Sequence, residues 1–453
     1  MSFTHEAGRS AFSTLINTTL KYMDKDREKS LLKMVDLAEA FMGKNFDKMY
    51  YDGAREMIKD PDCKWIKYLN KALDEIDPNI VKTAALNLGY EAGFYGTKKI
   101  RKMRELHNCN IPWLILIDPT TACNLKCKGC WAAEYGNRLN LSFEELDKII
   151  TEGKELGVYF YLYTGGEPLV RKDDLIKLCE KHKDCEFHAY TNGTLVDDEL
   201  CEEIKRVGNF TLSISIDGDE KANDERRGEG TYQKVLNAMD TLKKHKILYG
   251  ASICYNSQNV YSVTSADFLD MLIDKGVRLI WYFHYMPVGN DAVPELLPTP
   301  EQREYMYHRV REIRSLEGGK PIFALDFQND GEYVGGCIAG GKNYLHISAN
   351  GDVEPCVFVH YSSANIKEVS LLEALKQPLF MAYREKQPFN ENHLRPCPML
   401  ENPECLRKMI EETGAKSTDI ISPECVNHLC DKCIPYANSW EETANRLWDE
   451  SKK

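Results

Sequence analysis

The chain has 453 residues, which predicts two to three domains or one large α/β barrel with additions. Its hydrophobic fraction of 43% excludes a disordered chain, and its net charge of −12 excludes a nucleic-acid-binding protein with a global basic footprint. The chain contains sixteen cysteines, and its first residues lack the apolar core of a signal peptide. We therefore expect a cytoplasmic chain in a reducing compartment, where clustered cysteines bind metal rather than form disulfides.

Residues 1–110 have the apolar spacing of helices. Leu31, Met34 and Val35, for example, recur on one helical face, and no convincing strand occurs in this range. We expect an all-helical N-terminal domain. Its basic segment Lys98–Arg104 could dock a phosphate-bearing or membrane-surface substrate, or it could be an ordinary solvated helix face.

Residues 111–320 alternate strand-like apolar runs with helical patterns. The helices have recognisable starts, such as the capping box formed by Ser142 and Glu145. A βα unit repeated six times predicts an α/β fold, a partial (β/α)6 TIM-type barrel with a parallel sheet. Functional residues are expected in the loops after the strands. The predicted strands are 113–118, 158–163, 186–190, 211–216, 249–254 and 278–286.

The loop after the first predicted strand carries three closely spaced cysteines. Cys123, Cys127 and Cys130 can converge on one small object, and thiolates at this spacing suit an iron–sulfur cluster. Three protein ligands for a cube of four irons leave one iron open to chemistry. Two alternative interpretations are a structural zinc site that lacks one ligand and cysteines that are buried by chance.

This arrangement resembles the cluster motif of the radical S-adenosylmethionine (radical SAM) enzymes. One position departs from that pattern, because the family usually has an aromatic residue just before the third cysteine. Here that position is Gly129, and Trp131 follows the cysteine instead. Trp131 is therefore a candidate to cover the cluster or the adenine of the cofactor.

Gly165, Gly166 and Glu167, followed by Pro168, come after the second predicted strand. Two glycines let a backbone come close to a ligand, and a carboxylate can accept from an ammonium group. By itself this could be an ordinary turn. After the cysteine loop it resembles the family's GGEP motif, which implies that it holds the methionine amino group of SAM.

Later loops supply further cofactor-binding candidates. In the family, polar residues at the end of the fourth strand reach the ribose or carboxylate of SAM, which makes Ser215 and Asp217 candidates. The segment 223–232 also resembles the family, and its Arg227 is expected to pair with the methionine carboxylate; a solvated arginine is the alternative. The resemblance covers roughly residues 112–315.

The resemblance implies a defined first step. An electron from the [4Fe-4S] cluster cleaves SAM to methionine and a 5′-deoxyadenosyl radical, which abstracts hydrogen from a substrate carbon. A reductant such as flavodoxin or ferredoxin would supply the electron.

Residues 321–453 predict a small cysteine-rich α+β domain. Asn350-Gly351 signals a hairpin that would bring Cys337 and Cys356 together, and this pattern resembles the start of the SPASM/Twitch extension, which houses auxiliary clusters. We expect one auxiliary [4Fe-4S] cluster. Its candidate ligands are Cys337, Cys356, Cys430 and Cys433, with Cys397 as a substitute or neighbour.

The evidence for metal binding by the other cysteines is weaker. A zinc ion at Cys430 and Cys433 is an alternative to the cluster, and Cys179, His182 and Cys185 also have metal-like spacing on the outside of the barrel. The remaining cysteines are expected to be structural. They are Cys63, Cys109, Cys201, Cys254, Cys405 and Cys425.

The substrate is less clearly indicated than the first reaction step. We expect a radical SAM enzyme acting on a lipid or small molecule, since an all-helical N-terminal domain argues against a βαβ-type peptide-binding module. A peptide-modifying maturase is the alternative within this class, and a non-catalytic iron–sulfur electron-transfer or assembly protein is the alternative outside it. His284 and Tyr285, at the end of the sixth predicted strand, face the substrate cavity or pack in the core.

Overall fold

The computed structural model describes residues 3–23, 25–43, 47–136 and 138–452. The N-terminal region is helical, as predicted, and no strand occurs among its described residues. Its last α-helix is preceded by a π-helix. The elements are α1 (Phe3–Met23), α2 (Arg27–Met42), α3 (Lys48–Lys59), α4 (Lys64–Glu75), α5 (Pro78–Ala84), the π-helix Ala85–Gly96 and α6 (Thr97–His107).

A buried polar cluster attaches this helical region to the barrel. Glu91 on the π-helix is fully buried and contacts His5 Nε2 at 2.8 Å and Arg9 Nη1 at 2.5 Å. Asn87, one turn earlier, donates to the backbone carbonyls of Lys183 and Cys185 just before the third strand. Buried polar groups that satisfy one another in this way hold the two parts in one arrangement.

The basic segment 98–104 lies on α6. Lys99 Nζ donates to the carbonyl of Lys154 at 2.9 Å, and Arg104 donates to the carbonyl of Ile111. These two side chains therefore dock α6 against the barrel, which favours a structural role for them over the binding of an anionic partner.

The barrel is built on one nine-stranded sheet with the order β7-β6-β5-β4-β3-β2-β1-β8-β9. Its first eight strands are parallel, and all six predicted strands are present. The strands are β1 (Leu114–Ile117), β2 (Phe160–Tyr163), β3 (Glu186–Thr191), β4 (Phe210–Ser215), β5 (Tyr249–Tyr255), β6 (Leu279–His284), β7 (Phe323–Asp326), β8 (Tyr344–Ile347) and β9 (Val353–Glu354).

Helices cover the outer face of this sheet. Ser142 and Glu145 form the predicted capping box, and Thr299 forms a second one with Gln302. Strand side chains such as Ile115 are fully buried between sheet and helices. The helices are α7 (Phe143–Leu156), α8 (Lys172–Lys181), α9 (Asp198–Val207), α10 (Glu220–Arg227), α11 (Thr231–Lys244), α12 (Ala266–Lys275) and α13 (Pro300–Arg314).

The sheet continues past residue 320, because β7 pairs with β6 and β8 pairs in parallel with β1. The predicted hairpin at Asn350-Gly351 is confirmed, since β8 and β9 pair antiparallel around it. The rest of the C-terminal part follows this hairpin. Its elements are α14 (Gly331–Val334), β10 (Tyr361–Ser362), α15 (Leu371–Ala374), α16 (Pro378–Lys386), α17 (Pro403–Thr413), β11 (Lys416–Ser417) and α18 (Val426–Ser451).

No helix among the described residues combines the length and the apolar character that crossing a membrane requires.

Candidate functional site

The three cysteines of the loop after β1 line one cavity, called here the first cavity. Cys123, Cys127 and Cys130 share it with residues from the carboxyl ends of β1 to β6, where a parallel sheet gathers its site. Burial raises the pKa of Cys123 and of Cys130. Holding these groups as thiolates therefore requires compensating positive charge, which fits an iron–sulfur cluster.

Gly165 and Gly166 let the loop after β2 pack directly on the cysteine loop. A Cβ atom on Gly166 would lie 2.3 Å from the carbonyl oxygen of Ala122, and Gly165 has a φ of 102°. Gly166 N donates to the carbonyl of Thr120, and Glu167 N donates to that of Ala122. The two glycines therefore allow this loop to approach the neighbouring cysteine loop closely.

Glu167 is a fixed, buried carboxylate in the wall of the first cavity. Its Oε1 accepts from Leu169 N at 3.0 Å and Thr191 Oγ1 at 2.6 Å, and its Oε2 accepts from Asn192 N at 2.8 Å. Burial raises its pKa, although these three bonds oppose the rise. A carboxylate has about four acceptor positions, so one remains on Oε2 for a ligand donor. Thr191 and Asn192, which close β3, hold the group in place.

Asp217 lies behind the first cavity and anchors two arginines that line it. Its Oδ2 accepts from Arg226 Nη1 at 2.7 Å and Arg227 Nε at 2.6 Å, and its Oδ1 accepts from Cys254 N. Burial opposes ionisation, but the two guanidinium groups hold the pKa of Asp217 below its ordinary value. Asp217 therefore positions the two arginines and does not itself line the first cavity. Arg227 and Ser215 do line it.

Sequence reasoning missed Arg226 and misjudged Cys254. Both line the first cavity, and the buried Arg226 Nε has no hydrogen-bond partner within the described part of the chain. Cys254, predicted as a packing residue, lies on β5 beside the cluster cysteines. Arg226 could have been predicted from its position immediately before Arg227. Cys254 could have been predicted from its position near the carboxyl end of a strand.

Tyr285 fills the space that opens over Gly129. Gly129 has a φ of 63°, and a Cβ atom there would lie 2.8 Å from the Tyr285 ring. Val293 N donates to the Tyr285 hydroxyl at 2.9 Å and holds the ring. The aromatic side chain absent before Cys130 is therefore replaced in space by one from the segment after β6. Trp131 also lines the first cavity.

A second cavity is lined by Cys337, Cys356 and Cys397. Tyr344 donates its hydroxyl to Cys356 Sγ at 2.7 Å. Burial raises the pKa of Cys337 to about 12 and that of Cys356 to about 11. Three thiols line this buried, mostly apolar cavity. They suit a bound iron–sulfur cluster better than bound water, because the iron would compensate the negative charge of the thiolates.

Cys430 and Cys433 do not line the second cavity, so the structure does not assemble the ligand set expected from the sequence. Both are fully buried on α18, and Cys430 Sγ donates to the carbonyl of Pro403 on α17. Cys397, expected as a substitute, occupies the cavity instead.

The zinc alternatives receive no support from the described residues, in which no three His, Cys, Asp or Glu side chains are placed to hold one metal ion. Cys179 and Cys185 are fully buried in the core, and His182 Nε2 bonds to Asp147 Oδ1 at 2.9 Å. Cluster cysteines do not converge on one ion, since each thiolate holds a different iron.

The two cavities adjoin. Met286 and Phe358 line both of them and form a thin wall between the two. On the first-cavity side, Tyr190 packs edge-on against Phe283 at 5.7 Å, and Phe283 stacks with Trp281. One part of the wall of the first cavity is therefore aromatic.

A buried chain of hydrogen bonds and one ion pair also connects the cavities. His284, which lines the first cavity, has its Nε2 2.6 Å from the Tyr436 hydroxyl, and Arg303 Nη1 donates to the same hydroxyl at 3.2 Å. Arg303 pairs with Glu401 Oε1 at 2.7 Å, and Glu401 Oε2 accepts from Cys397 N at 2.6 Å. This chain fixes the geometry of one wall relative to the other.

Comparison with known proteins identifies both parts of the chain. Residues 117–272 match the model of the radical SAM superfamily, and residues 337–399 match that of the SPASM iron–sulfur cluster-binding domain. The chain contains a radical SAM domain followed by a SPASM domain. This confirms the predicted family and cofactor classes: SAM, its iron–sulfur cluster and an auxiliary cluster. The second matched range includes the three cysteines of the second cavity.

Several curated relatives of this radical SAM and SPASM chain are named as enzymes. Fe-coproporphyrin III synthase of Methanosarcina barkeri is 31% identical over 233 residues, which are 49% of this chain and 57% of that relative. The AdoMet-dependent heme synthase of the same organism is 25% identical over 57% of this chain and 80% of its own length. PqqA peptide cyclase of Granulibacter bethesdensis is 27% identical over 60% of this chain and 76% of the relative.

The fold is also similar to that of solved structures. Streptococcus suis SuiB bound to S-adenosylmethionine covers 88% of this chain and 92% of its own, with a TM-score of 0.56 at 18% identity. SuiB bound to its precursor peptide SuiA has a TM-score of 0.56 at 20% identity and covers 73% of this chain and 79% of its own. The predicted α/β partial barrel with a helical N-terminal region is confirmed at the level of fold.

Proposed function

We propose that this chain is a radical SAM enzyme that reductively cleaves SAM and abstracts hydrogen from a substrate carbon. The observation that carries the proposal is the convergence of Cys123, Cys127 and Cys130 with Glu167 and Arg227 in the first cavity. When bound there, the cluster and SAM supply the electron and the 5′-deoxyadenosyl radical.

The protein's own contribution is binding and orientation. Glu167 keeps one acceptor position free for the methionine ammonium group of SAM. Arg226 and Arg227 share one carboxylate, that of Asp217, which leaves a net positive charge for the methionine carboxylate. Ser215 lines the same cavity, which supports a role for its hydroxyl in binding the ribose or carboxylate of SAM.

The aromatic interior has a second role. Tyr190, Phe283, Tyr285 and Phe358 form apolar walls beside the cysteine loop. Such walls exclude water from a reactive intermediate and leave a mainly apolar surface for the substrate carbon.

For the substrate, we propose a small molecule or lipid rather than a peptide. Two of the relatives described above are named as a coproporphyrin and a heme synthase, neither of which is a peptide-modifying enzyme by name. The all-helical N-terminal region supports the same choice. A peptide substrate is the second candidate, favoured by the likeness in fold to SuiB with its precursor peptide.

A one-electron reductant of the flavodoxin or ferredoxin type and a cytoplasmic location complete the proposal. The non-catalytic alternative is disfavoured, because an electron carrier has no use for a buried carboxylate and two arginines beside its cluster.

The test is anaerobic reconstitution with iron and sulfide, followed by addition of dithionite and SAM. We expect 5′-deoxyadenosine and methionine, separated by chromatography, from the wild-type protein and none from the Cys127→Ala variant. Absence of 5′-deoxyadenosine from wild-type protein whose first cavity holds a cluster would show that the enzymatic proposal is wrong.

A further inference from the structure

The second cavity contains more cluster-binding chemistry than its three thiols. Besides Cys337, Cys356 and Cys397, two phenols line it, those of Tyr344 and Tyr383. The Tyr344 hydroxyl is engaged by Cys356 Sγ. The Tyr383 side chain is fully buried, and its hydroxyl has no hydrogen-bond partner among the residues that the structure describes.

A buried hydroxyl without a hydrogen-bond partner destabilises the fold, so its retention needs a reason. Packing holds Tyr383 in this orientation. Its Cβ lies 2.5 Å from the position that a Cβ atom on Gly340 would occupy, and its ring packs edge-on against Phe389 at 5.2 Å. Gly340 has a φ of 63°, a left-handed conformation that favours glycine, and the missing side chain leaves room for Tyr383. The ring is thus fixed by contacts that leave its oxygen free for another partner.

The remaining C-terminal cysteines have other surroundings. Cys405 lines a separate open groove together with Glu401. Cys430 donates to the carbonyl of Pro403, Cys433 is buried beside it on α18, and Cys425 is exposed. None of these four lines the second cavity.

A cube of four irons has four positions for ligands, and the residues that line the second cavity carry three thiols and one phenolic oxygen that has no hydrogen-bond partner among the described residues. We propose that the phenolic oxygen of Tyr383 is the fourth protein ligand of the auxiliary cluster. Binding forms one Fe–O bond and releases the phenolic proton to solvent, and no electron is transferred. The inference rests on the auxiliary cluster of the proposed function and is independent of SAM cleavage, so the two can fail separately.

The experiment uses the full chain with Cys123, Cys127 and Cys130 replaced by alanine, so that only the auxiliary cluster is observed. This background is reconstituted anaerobically with ⁵⁷Fe and sulfide, and it is studied by iron analysis and Mössbauer spectroscopy. We expect about four irons per chain, one of them distinct from the other three because its ligand is oxygen. Tyr383→Phe should lose that iron, a fall of about one quarter, and show the EPR signal of a [3Fe-4S] cluster.

Two variants separate ligation from a structural role. Tyr383→Cys should keep all four irons but abolish the distinct one, because a thiolate replaces the oxygen. Tyr361→Phe is the control, because Tyr361 is a buried tyrosine of the C-terminal part that lines neither cavity, and its hydroxyl donates to the carbonyl of Glu424. This variant should keep both the iron content and the distinct iron.

Several results would overturn the inference. Four equivalent irons in the unmodified background would do so, as would an unchanged spectrum for Tyr383→Phe. Loss of the fourth iron in Cys405→Ala or Cys430→Ala would assign the ligand to a cysteine. A background protein that assembles no cluster would overturn the inference together with the auxiliary cluster itself, even if SAM cleavage by the wild-type protein were intact.

Discussion

Glu167 shows how single residues define the first cavity. Its carboxylate is buried, accepts three bonds from Leu169, Thr191 and Asn192, and keeps one acceptor position for a ligand. A buried carboxylate is costly unless a positive partner arrives. The ammonium group of bound SAM would supply that partner, so this residue should affect binding more than folding.

We predict that Glu167→Gln weakens SAM binding by about 10- to 100-fold, since a charge-assisted hydrogen bond contributes roughly 1.5–3 kcal/mol. The amide keeps an acceptor oxygen for Thr191 but loses the charge. Equilibrium binding of SAM to the reconstituted protein measures this effect.

Glu199→Gln, at an exposed position on α9, is the control and should bind SAM like the wild-type protein. If Glu167→Gln binds SAM as tightly as wild type, Glu167 does not contact the cofactor and its role is confined to the loop.

Two cysteines illustrate why a ligand set is hard to read from spacing. Cys430 and Cys433 form a tight pair in sequence, but on α18 this spacing puts both side chains on one helical face. That face packs against α17, where Cys430 meets the carbonyl of Pro403. Cys397, with no close cysteine partner in sequence, is the one that reaches the second cavity.

At the scale of elements, a buried charged network joins β1, β8 and β9 beside the cysteine loop. His346 on β8 lies 3.0 Å from Asp118 Oδ1 and 2.6 Å from Glu354 Oε2, and all three are fully buried. Tyr135 donates to Glu354, and Trp131 packs edge-on against His346 at 5.7 Å. The C-terminal part thus holds the segment that follows Cys130.

Burial by itself would lower the pKa of His346, but the carboxylates of Asp118 and Glu354 raise it to about 10. Because the folded pKa lies above the ordinary value near 6.5, protonated His346 stabilises the fold fully below about pH 6.5. This stabilisation is lost as the pH rises towards 10.

We predict that the free energy of unfolding of the reconstituted protein falls between pH 7 and pH 10, and that His346→Gln flattens this dependence. The variant should also lose about 3–5 kcal/mol at pH 7, because it leaves two buried carboxylates without their partner. Urea unfolding followed by circular dichroism measures both effects. His308→Gln, on the exposed face of α13, should keep the wild-type profile, and an unchanged profile for His346→Gln would contradict the predicted charge state.

At the scale of the whole molecule, the sheet makes the barrel and the C-terminal part interdependent. β8 pairs with β1 along Leu114–Ile117, and β7 extends the opposite edge, both from sequence beyond residue 320. The predicted division into residues 111–320 and 321–453 therefore separates strands that bond to each other. Removing the second part would expose the edges of β1 and β6, which pair with β8 and β7.

We predict that a chain truncated after residue 320 aggregates or fails to unfold cooperatively. The full-length variant Cys337→Ala/Cys356→Ala/Cys397→Ala is the matched control, which should lose the auxiliary cluster yet keep the sheet. Sedimentation and thermal unfolding of the two proteins distinguish loss of strands from loss of the cluster. A monomeric truncated protein with a cooperative transition would show that residues 111–320 fold alone.

The sequence by itself determined the features that are local or periodic. Alternating apolar runs predicted the six barrel strands, the spacing of Cys123, Cys127 and Cys130 predicted the cluster loop, and Asn350-Gly351 predicted the hairpin. These signals are readable because each depends on residues within a few positions of one another, where backbone geometry dictates the pattern.

Only the tertiary structure decided which distant side chains meet. It placed the Tyr285 ring over Gly129, put Asp217 behind Arg226 and Arg227, and gathered Cys397 and Tyr383 around the second cavity. These contacts join elements far apart in the chain, where no periodicity links the partners. They depend on how the sheet continues past residue 320 and on how α16 packs against it.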